Sequence, residues 1–347
     1  FHQHIIDELF EAPNSPVSKR VKNLFEQCHT FLANNRSPHE AFVYDQVVSF
    51  GELVSTSIIC AYLNHIGIAA EWIDARSCIK TDNFYRSAHL DWKRTQLAIQ
   101  NQVQGRTLKI TQGFIGSDDD NFTTTLGREG SDYSAAIFAY CLGATDVTIW
   151  KDVPGVLNAD PRVFDKTQLL HHISYQEAIE LAFYGASVIH PKTLQPLQRK
   201  EIPLFVKSFL NPTENGTQVG KGVRMRPEIP CYIVKKGLSL LRLSTRDFSF
   251  VVEDNISDIF KLLHEHKMSV DLIQNSAISF SVCINDKYHN VETLLHNLRA
   301  RFDVQYTPNV TLYTIRHFED DSATSLLKSN ELILEQRTET TLQLVMK

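Results

Sequence analysis

The chain has 347 residues, with 35 Lys+Arg against 40 Asp+Glu and a formal net charge of -5. At about 150 residues per domain this length predicts roughly two domains, each able to bury a core. Hydrophobic residues at 43% and charged residues at 22% exclude disorder and fibrous repeats, and the mild acidity excludes the basic footprint of a partner for nucleic acid or an anionic membrane.

Residues 1–40 read as helices, punctuated at Ala12-Pro13-Asn14-Ser15-Pro16. Ser49 to Thr56 opens an apolar helix that runs to His65 and stops at Gly67. Short apolar runs then alternate with amphipathic stretches: strand Ala70–Asp74, helix Leu90–Gln104, strand Leu108–Gln112, helix Asp132–Leu142, strand Val147–Trp150, helix Tyr175–Phe183 and strand Ile202–Val206. This order predicts an α/β unit, with a mostly parallel sheet covered by helices. Ligands of such sheets sit beyond the carboxyl ends of the strands, so the loops after Thr111, Trp150 and Val206 are where chemistry is expected.

Residues 211–230 are rich in Pro, Gly and charge and read as a linker. Beyond it the texture changes to short strands and helices that repeat weakly. Leu238–Leu243 is strand, Asp258–His266 helix, Ser269–Gln274 strand, Ile278–Ile284 strand and Val291–Arg301 helix. Val310–Ile315, Ser325–Lys328, Glu331–Gln336 and Thr341–Met346 then rerun strand–helix–strand–strand, giving two α+β units of βαββ type, the second without a last helix.

The loop from Ile110 to Asp132 carries the most information. A strand ends near Gly113, a polar loop follows, and a helix begins at Ser131 or Asp132. Ser131 suits an N-cap, Gly130 permits close backbone approach, and the exposed N–H groups of the helix start attract anions. Arg128 adds a bidentate clamp for a carboxylate or phosphate, and Asp132 is placed to orient a lysine or a metal-bound phosphate. The same stretch also reads as a capped helix after a flexible loop. Lys151 and Asp152 stand at a strand's carboxyl end, followed by turns at Pro154-Gly155 and Asp160-Pro161-Arg162 that fit either a nucleotide site or a plain surface loop. Neither a G-x-x-x-x-G-K-[ST] run nor a G-x-G-x-x-G run occurs, which disfavours P-loop and Rossmann sites. Glu52 either binds an amine or favours a helix dipole. His264-Glu265-His266 and His171-His172 lack metal-ligand spacing, so no metal site is expected from protein ligands. The six cysteines (Cys28, Cys60, Cys78, Cys141, Cys231, Cys283) form no CxxC pair and predict free thiols in a reducing, cytoplasmic setting. No apolar run is read as approaching the ~18 residues of a membrane span, and no leader pattern opens the chain.

Taken together, Val48–Thr56, Thr111–Gly116, Thr124–Ala136, Trp150–Val156, Ala159–Arg162, Phe183–Pro191 and Ile202–Val206 resemble, in order, the motifs of aspartokinases. The likeness covers about residues 40–347 and implies an amino-acid kinase fold followed by two ACT regulatory modules. Its implied division is a catalytic domain over 1–220, a linker over 221–231, and ACT modules over 232–305 and 306–347. It implies transfer of the γ-phosphoryl group of ATP, with Mg²⁺, to the side-chain carboxylate of L-aspartate. Carried over by motif, Arg128 clamps an aspartate carboxylate, Glu52 takes its amino group, Gly130 and Ser131 add contacts, and Asp132 organises the catalytic lysine. Lys151, Asp152, Leu157, Arg162, Ser187 and Val188 fall where the family holds ATP.

Three departures stand out. The family's N-terminal Lys-Phe-Gly-Gly strand is not in this sequence, so a catalytic domain lacking its front is expected. Ser187 stands where the family usually shows lysine, while Lys151 stands where a small hydroxyl residue is usual, so the phosphate-facing cation is expected to have moved to Lys151. Leu157 replaces a common tyrosine. In the regulatory half, Ser269–Ser276 resembles the effector-lining segment, which implies Val270 and Asp271 in an effector site, with Asp271 taking an effector amine and Asn275 and Ser276 its carboxylate. Read on pattern alone, it is a plain strand with Val270, Leu272 and Ile273 in the core. Lysine is the expected effector, and a homodimer or tetramer formed through the ACT modules is the expected assembly. A non-catalytic ACT-based sensor, or a kinase with another acceptor, are the alternatives.

Overall fold

The computed structural model describes residues 1–10, 15–186, 188–247 and 249–347; the Pro13 punctuation and Ser187 lie outside them. Helices α1 (His2–Phe10) and α2 (Pro16–Asn34) open the chain. Ser15 caps α2 by accepting from the Ser18 N–H, and Pro16 occupies the first helical position, where its missing donor costs nothing. Next come α3 (Glu40–His65), β1 (Ala70–Trp72), α4 (Ala75–Cys78), α5 (Trp92–Gln102), β2 (Leu108–Ile110), β3 (Ile115–Ser117), β4 (Thr123–Thr125), α6 (Gly130–Leu142), β5 (Val147–Lys151), β6 (His172–Ser174), α7 (Tyr175–Tyr184), α8 (Pro191–Lys200), β7 (Leu204–Ser208) and β8 (Thr217–Gly220). The remainder is β9 (Cys231–Thr245), α9 (Glu253–Glu265), β10 (Ser269–Asn275), β11 (Ser279–Asn285), α10 (Val291–Arg299), β12 (Phe302–Arg316), α11 (Thr324–Ser329), β13 (Leu332–Arg337) and β14 (Thr341–Met346).

Two compact units share these elements. The first holds Phe1–Asp152, Ile189–Glu214 and Gln218–Val223; the second holds Val153–Val188, Asn215–Thr217 and Arg224–Lys347.

In the first unit α3 is the organising element. By length and composition it is apolar enough to cross a membrane, which corrects the expectation that no such run exists. Its buried polar residues are nevertheless hydrogen-bonded within the unit. Gln46 Nε2 donates to the Thr123 carbonyl at 2.7 Å and its Oε1 accepts from the Thr123 N–H at 3.1 Å. Thr56 Oγ1 accepts from Gln112 Nε2 at 2.8 Å and Trp72 Nε1 at 3.0 Å. Such satisfied polar groups mark a helix of a protein core. Parallel pairing occurs, as expected, between β1 and β2 and between β5 and β7. The strands do not join into one continuous parallel sheet, however, and β3 pairs antiparallel with β4. With three residues each, β1 to β4 are too short to extend a ladder.

In the second unit six strands form one sheet in the order β10-β11-β9-β12-β14-β13, with antiparallel ladders throughout. Topologically this is two βαββ units side by side, β9-α9-β10-β11 and β12-α11-β13-β14, with α10 between them in the chain. One face packs Leu241, Leu243, Phe280, Val282 and Ile284 against Ile259 and Leu263 of α9 and Leu294, Leu295 and Leu298 of α10. Strands β9 and β12 run 15 residues each, far longer than their patterns predict. Gly237 at φ 71° and Asn309 at φ 55° interrupt the alternation midway, so only half of each strand shows the period of a sheet. Strand β8 falls inside the stretch read as a linker, which is therefore partly structured.

Candidate functional site

The loop between β2 and α6 builds the site. After β4 the chain turns at Gly127 (φ 79°) and enters α6 through Glu129 in the left-handed region (φ 54°). The helix starts at Gly130, so Ser131 is already inside it and is not its N-cap. Gly130 leaves room for Phe114 rather than for a ligand: a Cβ there would stand 2.6 Å from Phe114 Cδ2. Gly113 likewise lets the loop press on Ser131, where a Cβ would come within 2.9 Å of Ser131 Cα.

This turn bounds a cleft of about 380 Å³ lined by Tyr44, Arg86, Phe114, Thr125 and the segment Gly127 to Ser131. Arg128 stands 79% exposed at its rim, 3.9 Å from Glu129, while the second Glu129 oxygen is buried without a hydrogen-bond partner. Behind the cleft, Asp45 of α3 is fully buried. Its carboxylate accepts from the Arg86 N–H at 2.9 Å, from the Thr125 N–H at 2.8 Å and from Thr125 Oγ1 at 2.9 Å. Burial pushes the Asp45 carboxyl above its ordinary range, against the pull of these donors and the Arg86 charge. A loop and a strand distant in sequence are thus held to one helix by one side chain.

At the carboxyl end of β5, Lys151 Nζ lies 2.8 Å from Asp132 Oδ2 in the first turn of α6. The contact is an ion pair off the hydrogen-bond axis, since that oxygen has no aligned donor. Both side chains are largely shielded, at 21% and 16% exposure, where a charge pair is screened less than on an open surface. An α/β protein that keeps an anion-attracting helix start, an arginine and a shielded Lys–Asp pair at strand carboxyl ends has the parts for handling charged oxyanions.

Comparison with known proteins agrees. Residues 4–208 match the model of the amino acid kinase family. This chain belongs to that family. It is 37% identical over 286 residues to lysine-sensitive aspartokinase 3 of Escherichia coli (strain K12), an alignment covering 82% of this chain and 63% of the relative. Aspartokinase 1, chloroplastic, of Arabidopsis thaliana is 35% identical over 249 residues, covering 70% and 43%. The chain therefore spans less than two thirds of the length of both curated relatives. Among solved structures, E. coli aspartokinase III in complex with aspartate and ADP (R-state) superposes with a TM-score of 0.80 at 29% identity, covering 99% of this chain and 81% of that one. The same enzyme in complex with lysine and aspartate (T-state) gives 0.79 at 29% identity. The amino-acid kinase fold read from the sequence is thereby shown.

Of the predicted residues of this amino acid kinase, the structure brings Arg128, Gly130 and Ser131 to the cleft and joins Asp132 to Lys151. Glu52 is not among the cleft-lining residues; it is half-buried on α3, and desolvation raises its carboxyl above the ordinary value. Asp152 follows Lys151 and is exposed. In the second unit, Leu157 pairs with Leu169 in an isolated bridge and Val188 is half-buried. Arg162 spends its guanidinium on Asp160, with contacts of 3.0 and 2.8 Å, which holds the Asp160 carboxyl below its usual range. Ser187 lies outside the described residues.

The segment Ser269–Ser276, expected from the resemblance to line an effector site, supplies edge strand β10, with a register shift between Val270 and Leu272. Asp271 is the bulged residue, and its carboxylate, 9% exposed, is already paired with Lys235 Nζ of β9. The bulge puts Val270 and Leu272 on opposite faces: Val270 packs with the helix-side core and Leu272 with Cys283 on the other side. Ile273 is exposed, contrary to the core pattern. Asn275 is exposed, and Ser276 Oγ sits 2.8 Å from Ser279 Oγ. All six cysteines are unpaired. Burial pushes Cys231 and Cys283 up to about 12, so these two are inert packing residues. Sequence reasoning missed Tyr44, Asp45, Arg86 and Glu129, none of which sits in a spacing that signals a site.

Proposed function

We propose that this chain is the phosphotransferase and regulatory part of an aspartokinase, converting ATP and L-aspartate to ADP and 4-phospho-L-aspartate. The observation that carries the reading is the cleft at the start of α6, with Arg128 at its rim and the Asp132–Lys151 pair beside it at the end of β5. In the transfer, an oxygen of the acceptor carboxylate forms a bond to the γ-phosphorus while the bond to the bridging oxygen breaks and ADP leaves. Two anions must meet, so the protein's task is placement and neutralisation of charge rather than covalent catalysis. Arg128 and the N–H group of Ser131 hold the substrate, while the Gly130 N–H is already donated to the Gly127 carbonyl at 3.1 Å. Lys151, oriented by Asp132, supplies the cation facing the transferred phosphoryl group. Bound Mg²⁺ would neutralise phosphate charge, and Asp132, whose Oδ2 is buried without a hydrogen-bond partner, and Asp152 are the carboxylates that would hold it.

The catalytic domain is read as residues 1–220, and 232–305 and 306–347 as paired regulatory ACT modules through which a homodimer or tetramer forms. The E. coli relative solved with lysine supports lysine as the effector, with Asp271 as the acceptor of its amine. The unpaired thiols fit a cytoplasmic enzyme. Aspartate-dependent ADP release by the protein, with and without lysine, tests the reading. Lys151→Ala is expected to lower kcat by about a hundredfold or more, the scale of losing a preorganised charge stabiliser; normal kcat and ATP KM in that variant would remove Lys151 from the mechanism.

A further inference from the structure

A separate cavity of about 420 Å³ lies in the second unit, lined by Arg224, Met225, Glu228, Ile229, His317 and Glu319. None of these residues lines the α6 cleft or belongs to β10. Its size falls within the ~300–1,000 Å³ of small-molecule sites.

Its walls are held by backbone hydrogen bonds, which leaves the lining side chains uncommitted. One wall is the segment ahead of β9. There Arg226 donates its N–H to the His172 carbonyl at 2.9 Å and accepts from the His171 N–H at 2.7 Å, and Asn158 Nδ2 donates to the Pro230 carbonyl at 3.0 Å. The other wall follows β12, where the His317 N–H goes to the Thr340 carbonyl at 2.8 Å and the Glu319 N–H to Ser322 Oγ at 2.7 Å. Among the described residues, the side chains of Arg224, Glu228 and Glu319 make no hydrogen bond or ion pair. His317 Nε2 is turned to the Glu177 carboxylate at 2.9 Å, so Nδ1 is the ring nitrogen left over. The Cys231 thiol lies 3.9 Å from Met225 Sδ and steadies the apolar side.

Unpaired charges are ordinary on an open surface. Here they share one concavity with two apolar side chains, and the combination excludes most ligand classes. Two carboxylates repel nucleotides and other polyanions. No three His, Cys, Asp or Glu side chains among the described residues converge to hold a metal ion, and Arg224 would oppose one. A wholly apolar molecule would desolvate the polar groups without replacing their hydrogen bonds. A small molecule with both charge signs and a compact apolar arm satisfies every lining group.

We infer that this cavity is a binding site for an α-amino acid with a mid-sized apolar side chain. Arg224 takes its carboxylate, Glu228 and Glu319 its ammonium, and Met225 and Ile229 receive the side chain.

Calorimetric titration of the whole chain with L-leucine tests this, against isocaproate (ammonium lost), isoamylamine (carboxylate lost) and glycine (apolar arm lost). Wild type is expected to bind leucine about tenfold or more tightly than each of the three. Arg224→Gln, and separately the pair Glu228→Gln with Glu319→Gln, is expected to raise the leucine Kd by about tenfold or more, the loss of a charged contact. These side chains are exposed, so the variants should fold, which thermal denaturation checks. Leucine failing to bind wild type, or binding no more tightly than its truncated forms, overturns the inference. So does a leucine Kd unchanged in both sets of substitutions, which would place the ligand elsewhere. No turnover is read in these titrations, so failure of the kinase reading would leave this one standing, and the converse holds.

Discussion

Removing the Arg316 side chain is expected to destabilise the second unit severely. Arg316 ends β12 with its guanidinium buried: Nη2 lies 2.7 Å and Nε 3.2 Å from the Glu177 carboxylate of α7, and Nη1 donates to Thr341 Oγ1 at 2.7 Å. His317 Nε2 stands 2.9 Å from the same carboxylate, whose side chain is 8% exposed. Burial by itself would raise the Glu177 carboxyl; the His317 and Arg316 contacts overcome it and hold the group at about 2 against an ordinary 4.5. That gap corresponds to about 3 kcal/mol. Because the folded form binds the proton more weakly, the contribution is complete above pH 4.5 and disappears as pH falls toward 2. Arg316→Met keeps the buried stem but strands the carboxylate, so a loss of about 3–5 kcal/mol is expected at neutral pH. Adding Glu177→Gln removes the orphaned charge and is expected to restore most of it. Urea unfolding followed by circular dichroism, repeated between pH 2 and 7, reads both quantities. The single variant should also lose most of the acid dependence that wild type shows between pH 4.5 and 2. A loss below about 1 kcal/mol in Arg316→Met, or an unchanged acid dependence, would refute the reasoning.

Gly130→Ala is expected to push Phe114 from the cleft wall, because the added Cβ would lie 2.6 Å from its ring; overpacking of this kind costs about 1–3 kcal/mol. A lowered Tm with a raised aspartate KM checks it, and an unchanged KM would show that Phe114 does not shape the cleft. Lys235→Met frees Asp271 from its internal ammonium partner. If an effector amine competes for that carboxylate, half-maximal inhibition by lysine should fall several-fold; unchanged inhibition would place the amine elsewhere.

Much of this molecule was legible without coordinates. The alternation of strand and helix in the first half and the doubled βαββ pattern in the second follow from local periodicity, which each segment carries within itself. The glycine-rich entry to α6, with Arg128 and Asp132, was equally plain, because turn residues and helix starts are chemical signals a few positions long. Tertiary structure alone decided the rest. It placed Asp45 under a loop and a strand about 40 and 80 residues further along the chain, brought Arg86 and Glu129 into one cleft, and moved Glu52 out of its wall. It also handed Asp271 to Lys235 through a one-residue bulge, where an uninterrupted strand would have faced it elsewhere. Local sequence fixes which way a short segment folds. Which charges meet depends on loop closure and register between segments far apart in the chain, and no local period encodes that.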